Sequence, residues 1–551
     1  MMYHTRVMQQ IKLPGISLVL GVGSAIAAFA LYLSTLAPTL SWGWRGMGVD
    51  GGELLAAAHS LGVPHPSGYP TYMLFLKGFG SIVAIGDFAF RGNLASVVLG
   101  ALTVGLLYWV TLVIARGQYR DSPEWLVALV SSFAALTFAA TPLFWSQAVI
   151  TEVYTLNTVF VGALAVLALH IVTGSWRNRP RSERHMQRML AVFGLLVGLG
   201  MGNHLTLLAI AAPLALWIAI QTRPRVADVA WGVAALAVGL SVYAYLPIRA
   251  GAGPAVNWGD ASSSDGFIWM LSGRAYQDYV FGIPLDSIGA RLADWLDLVF
   301  IQFNPLGLFF VLVGIAAVAK TEQWLFRMIV LSIAGLFGYA IAYNTFDAEV
   351  LTIPAFFLLS ACSGLGLLAV LTNVSRWASE GSRHRTRSRS RKNILKGWRS
   401  APFLLVVAFV AVPVGTVAMN YSSQDLSDDR RAEEFAEAAI DMASPGSVVI
   451  ADGEAKTFAL WYETFVERPE SEVIPISARL LQFDWYGPSL NERYPGQLPA
   501  EWPSDVLGAL EAIIDHTAVE SGVYLTYFSP DLAENYALSL QPHGLYKVGL
   551  R

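Results

Sequence analysis

The sequence predicts a polytopic α-helical membrane protein with a folded α/β domain at its carboxyl end. Three observations predict it. The 551-residue chain is 55% hydrophobic and only 14% charged, whereas a soluble chain carries about 25% charged residues. Apolar runs of about 20 residues recur along the first 420 positions, each long enough to cross a hydrocarbon core of roughly 30 Å. Beyond that point the long runs stop, and short β-rich stretches alternate with helical ones. The apolar/polar alternation of an outer-membrane barrel is absent.

The first run, 16–38, follows Arg6 and Lys12 as a signal peptide would. It is long for a signal core and ends in Leu36-Ala37-Pro38-Thr39, a poor flank for cleavage, so it reads as a retained span. Basic residues choose the cytoplasmic side. Arg116/Arg120, the Arg177–Arg188 cluster, Arg223/Arg225 and the cluster from Arg376 to Arg399 must then share one side. Spans at 92–115, 124–142, 153–173, 189–202, 204–221, 226–247, 297–319, 324–343, 350–372 and 401–419 complete eleven crossings, with the amino terminus inside and the carboxyl terminus outside. Residues 189–221 as one helix would run roughly 50 Å, too long for one upright crossing. Two helices meeting at Gly202-Asn203-His204 keep the arginines together. Residues 71–86 are apolar enough to span, but counting them would invert every later loop, so they read as a helix in the outer leaflet. Arg383–Lys392 reads as a flexible cytoplasmic loop rather than a nucleic-acid site.

These spans form a transmembrane domain, 1–419, with the first external loop at 39–91, followed by an extracytoplasmic domain, 420–551. In the latter, Ser447–Asp452, Glu472–Ser477 and Val523–Phe528 read as strands and Thr457–Val466 as a helix. Acidic residues outnumber basic ones there, as the translocated side permits. The lone cysteine, Cys362, lies in an apolar run; it excludes an intramolecular disulfide and reads as a small buried apolar residue.

The external segments share a character. The first holds Val49-Asp50-Gly51-Gly52-Glu53 and then His65-Pro66-Ser67-Gly68-Tyr69-Pro70. Others hold Glu152, Tyr154 and Asn157; Asn203-His204; Asn257-Trp258-Gly259-Asp260; Gly273-Arg274-Ala275-Tyr276; and Tyr343-Asn344-Thr345-Phe346-Asp347-Ala348-Glu349. Ionisable groups at membrane depth are costly and line sites or cavities, and all of these converge on one face. Blander readings stand beside this one. Asp50 and Glu53 suit the amino terminus of an interfacial helix. His65 suits a proline-shaped turn, His204 a hydrogen-bonded interhelical histidine, and Glu152 a structural pair with Arg249 or Arg274. No spacing resembles a zinc site, and there is no phosphate loop, dinucleotide fingerprint or nucleophile elbow.

In order and content these motifs resemble those of glycosyltransferase family 117, multi-spanning GT-C enzymes that include the eukaryotic O-mannosyltransferase of plexin-type receptor domains. The resemblance runs from Ser41-Trp42 through Glu53, His65–Pro70, Phe144–Asn157, Gly202–Thr206, Asn257–Asp260 and Tyr343–Thr345 to Ala451-Asp452-Gly453-Glu454 and Phe458–Tyr462. Two departures are visible: Pro66-Ser67-Gly68 replaces a Pro-Pro-Gly, and Asp452-Gly453-Glu454 replaces an Asn-Gly-Asp. The resemblance implies a GT-C fold and inverting transfer of a sugar, mannose or another hexose, from a polyprenyl-phosphate donor. The expected acceptor is a hydroxyl of an exported protein or envelope component at the outer face of the membrane, and the expected compartment is the plasma membrane. It places the essential acid at Asp50 or Glu53.

On this reading Asp50 is the general base and Glu53 positions it or shares the task. Arg91, Arg249 and Arg274 are candidates for the donor phosphate. His65, Tyr69, Glu152, Tyr154, Asn157, Asn203, His204, Asn257, Trp258, Asp260 and Asn344 complete the substrate-binding set. The expected partners are membrane lipids, the lipid-linked donor and the acceptor; no nucleic acid, metal or separate cofactor is assigned. A lipid or solute transporter would also place polar groups among helices, but with broken midplane helices and internal duplication. A non-catalytic envelope-assembly factor is the third reading.

Overall fold

The computed structural model describes residues 15–174, 183–383, 401–517 and 521–550. All of the Arg383–Lys392 loop after Arg383, and most of the Arg177–Arg188 cluster, fall outside them. Among the described residues, nine helices are long and apolar enough to cross a membrane: Gly15–Ser34, Phe88–Gln118, Tyr154–Thr173, Leu205–Thr222, Val226–Ala250, Ile288–Thr321, Gln323–Ala342, Ala348–Trp377 and Ala401–Gln424. A tenth is the pair Glu124–Ala139 and Pro142–Ala148, bent by 71° where Pro142 opens the second helix. The eleventh expected span, 189–202, is the apolar part of helix Glu183–Met201. Glu183, Arg184, His185 and Arg188 fill its first turns, so it falls short on apolarity. The helix stops at Met201 and a new one starts at Leu205, as the Gly202-Asn203-His204 break predicts.

Segment 71–86 yields helix Pro70–Ile82, 13 residues long. At 1.5 Å per residue it covers about 20 Å, too short to cross.

Small residues set the helix contacts, since lipid offers no hydrophobic drive between helices. A β-carbon at Gly314 would collide with the Cys362 carbonyl, and one at Gly366 with the Phe310 carbonyl. These glycines let Ile288–Thr321 and Ile353–Arg383 touch backbone to backbone. Gly194 against Gly232, and Gly198 against Leu236, do the same for Glu183–Met201 and Val226–Leu240. Cys362 is buried in the first of these contacts.

The carboxyl-terminal region holds a five-stranded sheet, order β2-β1-β3-β5-β4. Strands β1 (Val448–Ala451), β2 (Ile474–Ser477) and β3 (Val523–Leu525) are parallel. Their continuous burial explains their unbroken apolar runs. Strands β4 (Tyr536–Leu540) and β5 (Tyr546–Leu550) form an antiparallel hairpin that sequence patterning missed, although large apolar residues fall at every second position in both, Tyr536, Leu538 and Leu540 in one and Tyr546, Val548 and Leu550 in the other. The region is docked rather than tethered. Gly52 lies so close to the Phe458 carbonyl that a β-carbon would collide with it. The Ala89 N–H donates to the Tyr462 hydroxyl (2.9 Å), the Trp42 indole N–H to the Ala455 carbonyl (3.0 Å), and the Ser41 hydroxyl to Asp429 (2.6 Å). One buried apolar core runs through both regions, and the boundary expected at 419–420 falls inside Ala401–Gln424.

Candidate active site

The loop after the first span, residues 39–91, builds the centre of the site. Gly51–Ser60 is a helix whose N-cap residue is Asp50. The Asp50 side chain makes no capping hydrogen bond; it turns away from the helix into a cavity of roughly 790 Å³. Glu53, in the first turn, is fully buried. The helix ends at Leu61 in a left-handed conformation (φ 52°), which sends the chain back past its own start. There Val63 pairs with Asn257, and His65 returns to the helix amino terminus. Its backbone N–H donates to Glu53 Oε1 (3.1 Å), and its ring Nδ1–H donates to Glu53 Oε2. On the other side of the ring, Nε2 lies 2.8 Å from the Tyr69 hydroxyl and 3.8 Å from Asp50 Oδ2. Tyr69 itself is held at φ 41° immediately before the Pro70–Ile82 helix, a left-handed conformation that costs a non-glycine residue on the order of 1–2 kcal/mol.

The two acids therefore differ in kind. Glu53 is sealed and spends both oxygens on His65. Asp50 is 27% exposed and faces open volume. Burial opposes a charged imidazole, but the carboxylates of Glu53 and Asp50 outweigh it and lift His65 to about 10. Burial lifts Asp50 to about 7; the His65 charge pulls it down, while Glu454, Asp347 and Glu53 push it up. At neutral pH the site thus holds a fixed imidazolium beside a carboxyl poised to take or release a proton.

Other segments close the cavity. Tyr154, His204 and Asn344 line it, as expected, together with Asp50, His65 and Tyr69. Burial and the nearby His65 charge drop His204 to about 4. It is neutral, and its Nδ1 accepts from the Thr206 N–H (3.3 Å) and lies 2.7 Å from the Thr206 hydroxyl, the hydrogen-bonded histidine of the bland reading. Glu152 is buried behind the wall, raised well above the ordinary range by burial and by the Asp50 charge. Among the described residues no ion pair joins it to Arg249 or Arg274. Asn203 and Asn157 are also buried behind the wall, bonded to the Val153 carbonyl and the Thr206 hydroxyl. Trp258 backs His65 (ring centroids 6.1 Å apart) and Asn257 donates to the Ala250 carbonyl (3.4 Å); both line a second, smaller cavity rather than this one. Asp260 sits outside the cavity and accepts from the Ser262 hydroxyl.

None of the three expected arginines lines the cavity. Arg91 caps the carbonyls of Gly80, Ile85 and Gly86, and Arg249 those of Ser60 and Leu61, because helix and loop ends leave carbonyls to be satisfied. Arg274 is exposed on its turn. The arginine that does line it is Arg479, which motif reading missed. Tyr276, Tyr343 and Asp347, inside motifs already singled out, and Glu454 from the tail also line it. A usable signal existed for Arg479: it follows the carboxyl end of β2, next to parallel β1, and ligands gather at that edge of parallel sheets. Among the described residues no group of three or more His, Cys, Asp or Glu side chains is gathered as a metal site.

A bundle of spanning helices with an acidic first loop folded under a carboxyl-terminal α/β region has the GT-C-type fold. In fold the chain matches the crystal structure of ArnT from Cupriavidus metallidurans bound to undecaprenyl phosphate, with a TM-score of 0.54 over 96% of this chain and 97% of that one at 12% identity. Residues 50–227 match the family model described as Protein O-mannosyl-transferase TMEM260 N-terminal domain. The chain is similar to Protein O-mannosyl-transferase TMEM260 of Mus musculus, 24% identical over 495 residues, covering 87% of this chain and 65% of that one. It is likewise similar to Protein O-mannosyl-transferase tmem260 of Dictyostelium discoideum, 23% identical over 508 residues, covering 84% and 57%. The chain therefore spans less than two thirds of the length of these relatives.

Proposed function

We propose that this chain is a membrane glycosyltransferase. It moves mannose or another hexose from a polyprenyl-phosphate donor to a hydroxyl of an exported protein or envelope acceptor, with inversion, on the outer face of the plasma membrane. The names of the two relatives support the reaction class, and the undecaprenyl phosphate bound to ArnT supports the donor class. The observation that carries the mechanism is Asp50, an N-cap residue that declines to cap and faces the cavity beside a buried imidazolium.

In this reaction the acceptor oxygen attacks the anomeric carbon opposite the phosphate. The carbon–oxygen bond to phosphate breaks with its electron pair, and the hydroxyl proton passes to Asp50. A base with a pKa near the working pH is the effective one, and such a step contributes about 10²–10⁴-fold. Glu53 locks His65, and the His65 charge keeps part of the Asp50 population ionised. Glu53 is thus a positioning residue. A transporter would put its polar groups at the midplane, whereas this cavity opens among helix ends and loops under the tail.

The experiment is transfer from polyprenyl-phosphate mannose to a Ser/Thr-rich acceptor, read as the gain of one hexose in mass. Asp50→Asn is expected to lose about 10²–10⁴-fold in rate. Full activity in that variant would remove Asp50 from the mechanism.

A further inference from the structure

A sugar phosphate on a lipid is an anion, yet the cavity wall is rich in carboxylates: Asp50, Asp347 and Glu454. Among its described lining residues the cationic side chains are His65 and Arg479, with His204 neutral. His65 is already committed to Glu53, Asp50 and Tyr69. Arg479 is not. Its side chain is 60% exposed, and its Nε–H donates to Asp452 Oδ1 at 3.1 Å. That bond uses one of five N–H groups and biases the guanidinium toward one orientation. Parallel pairing puts Ala451 beside Ser477, so Asp452 and Arg479 leave adjacent strands at their carboxyl ends, the edge where α/β sheets receive ligands. Arginine's terminal nitrogens match phosphate oxygens in a two-bond fork.

We propose that Arg479, oriented by Asp452, binds the phosphate of the lipid-linked donor. The carboxyl-terminal region then supplies the anion contact while the first loop supplies the base. The assignment rests on the transferase reading above. It also gives Asp452 a role despite the departure at Asp452-Gly453-Glu454: the aspartate orients the arginine. An exposed ion pair adds little stability, so the variants fold.

The test measures binding of undecaprenyl phosphate and of uncharged undecaprenol to the purified full chain. Arg479→Ala should weaken the phosphate form roughly 10–100-fold, the scale of a charged hydrogen-bonding contact, and leave the alcohol unchanged. Arg479→Lys should fall between, and Arg274→Ala should bind like wild type. In transfer assays Arg479→Ala should raise the donor KM far more than it lowers kcat. Equal binding of the phosphate by wild type and Arg479→Ala would overturn the assignment. A wild-type protein that binds neither lipid would instead overturn the transferase reading.

Discussion

The first loop and the carboxyl-terminal region meet across one cavity but contribute to it differently. The loop supplies a preassembled unit: Asp50, Glu53, His65 and Tyr69 sit close along the chain, bonded to one another before any ligand arrives. The tail supplies single side chains, Glu454 and Arg479, from the ends of separate elements. The loop's groups are mostly buried and mutually neutralising, and the tail's Arg479 is exposed. The difference teaches where chemistry and recognition divide. Buried pairs keep a proton at a chosen energy, and exposed forks wait for an anion.

The largest effect expected from breaking this arrangement falls on the loop. Glu53→Ala leaves the His65 imidazolium buried without its main partner, and removing one member of a buried pair costs on the order of 3–5 kcal/mol. Thermal unfolding of the purified variant checks it; a midpoint equal to wild type would mean that the pair does not hold the loop. The sign with pH follows from the same pair. His65 is raised to about 10, so its stabilisation is complete below its unfolded value of about 6.5 and is lost as pH rises through 10. The Glu53→Ala penalty should therefore shrink above about pH 10.

A smaller effect sharpens the contrast at the seam. Gly52→Ala puts a β-carbon into the Phe458 carbonyl, an overpacking cost of about 1–3 kcal/mol. Because the clash lies between the two regions, the variant should make the tail more sensitive to limited proteolysis. Wild-type cleavage would show that the tail is merely tethered.

The loop unit was legible in the sequence because its members are close along the chain and framed by Gly and Pro. The spans were legible as apolar runs, and the break at Gly202–His204 from helix length. What was not legible has physical causes. Spacing of three puts Asp50 and Glu53 near one helix face, but a residue at the cap lies off the helix proper, so spacing alone could not show that one acid faces the cavity and the other the core. Arg91 and Arg249 looked available because an arginine's hydrogen-bond partners are invisible in sequence; each in fact closes a turn. Arg479 reaches the cavity only through the parallel pairing of β1 and β2, a long-range contact. The β4–β5 hairpin was missed although its strands alternate, because each is only five residues long and neither has the unbroken apolar run of β1 to β3. The tail looked separate because its docking depends on Gly52 and Trp42 meeting Phe458 and Ala455, partners far away along the chain.

The most direct test of the central claim, that Asp50 is the ionising base tuned by its buried neighbour, is the pH dependence of kcat/KM for sugar transfer in wild type and in His65→Gln. Wild type should rise with one ionisation to a plateau above about 7, and His65→Gln, lacking the charge that pulls the Asp50 pKa down, should show that limb at higher pH. A wild-type profile flat through pH 7, or a limb at the same pH in both proteins, would contradict it.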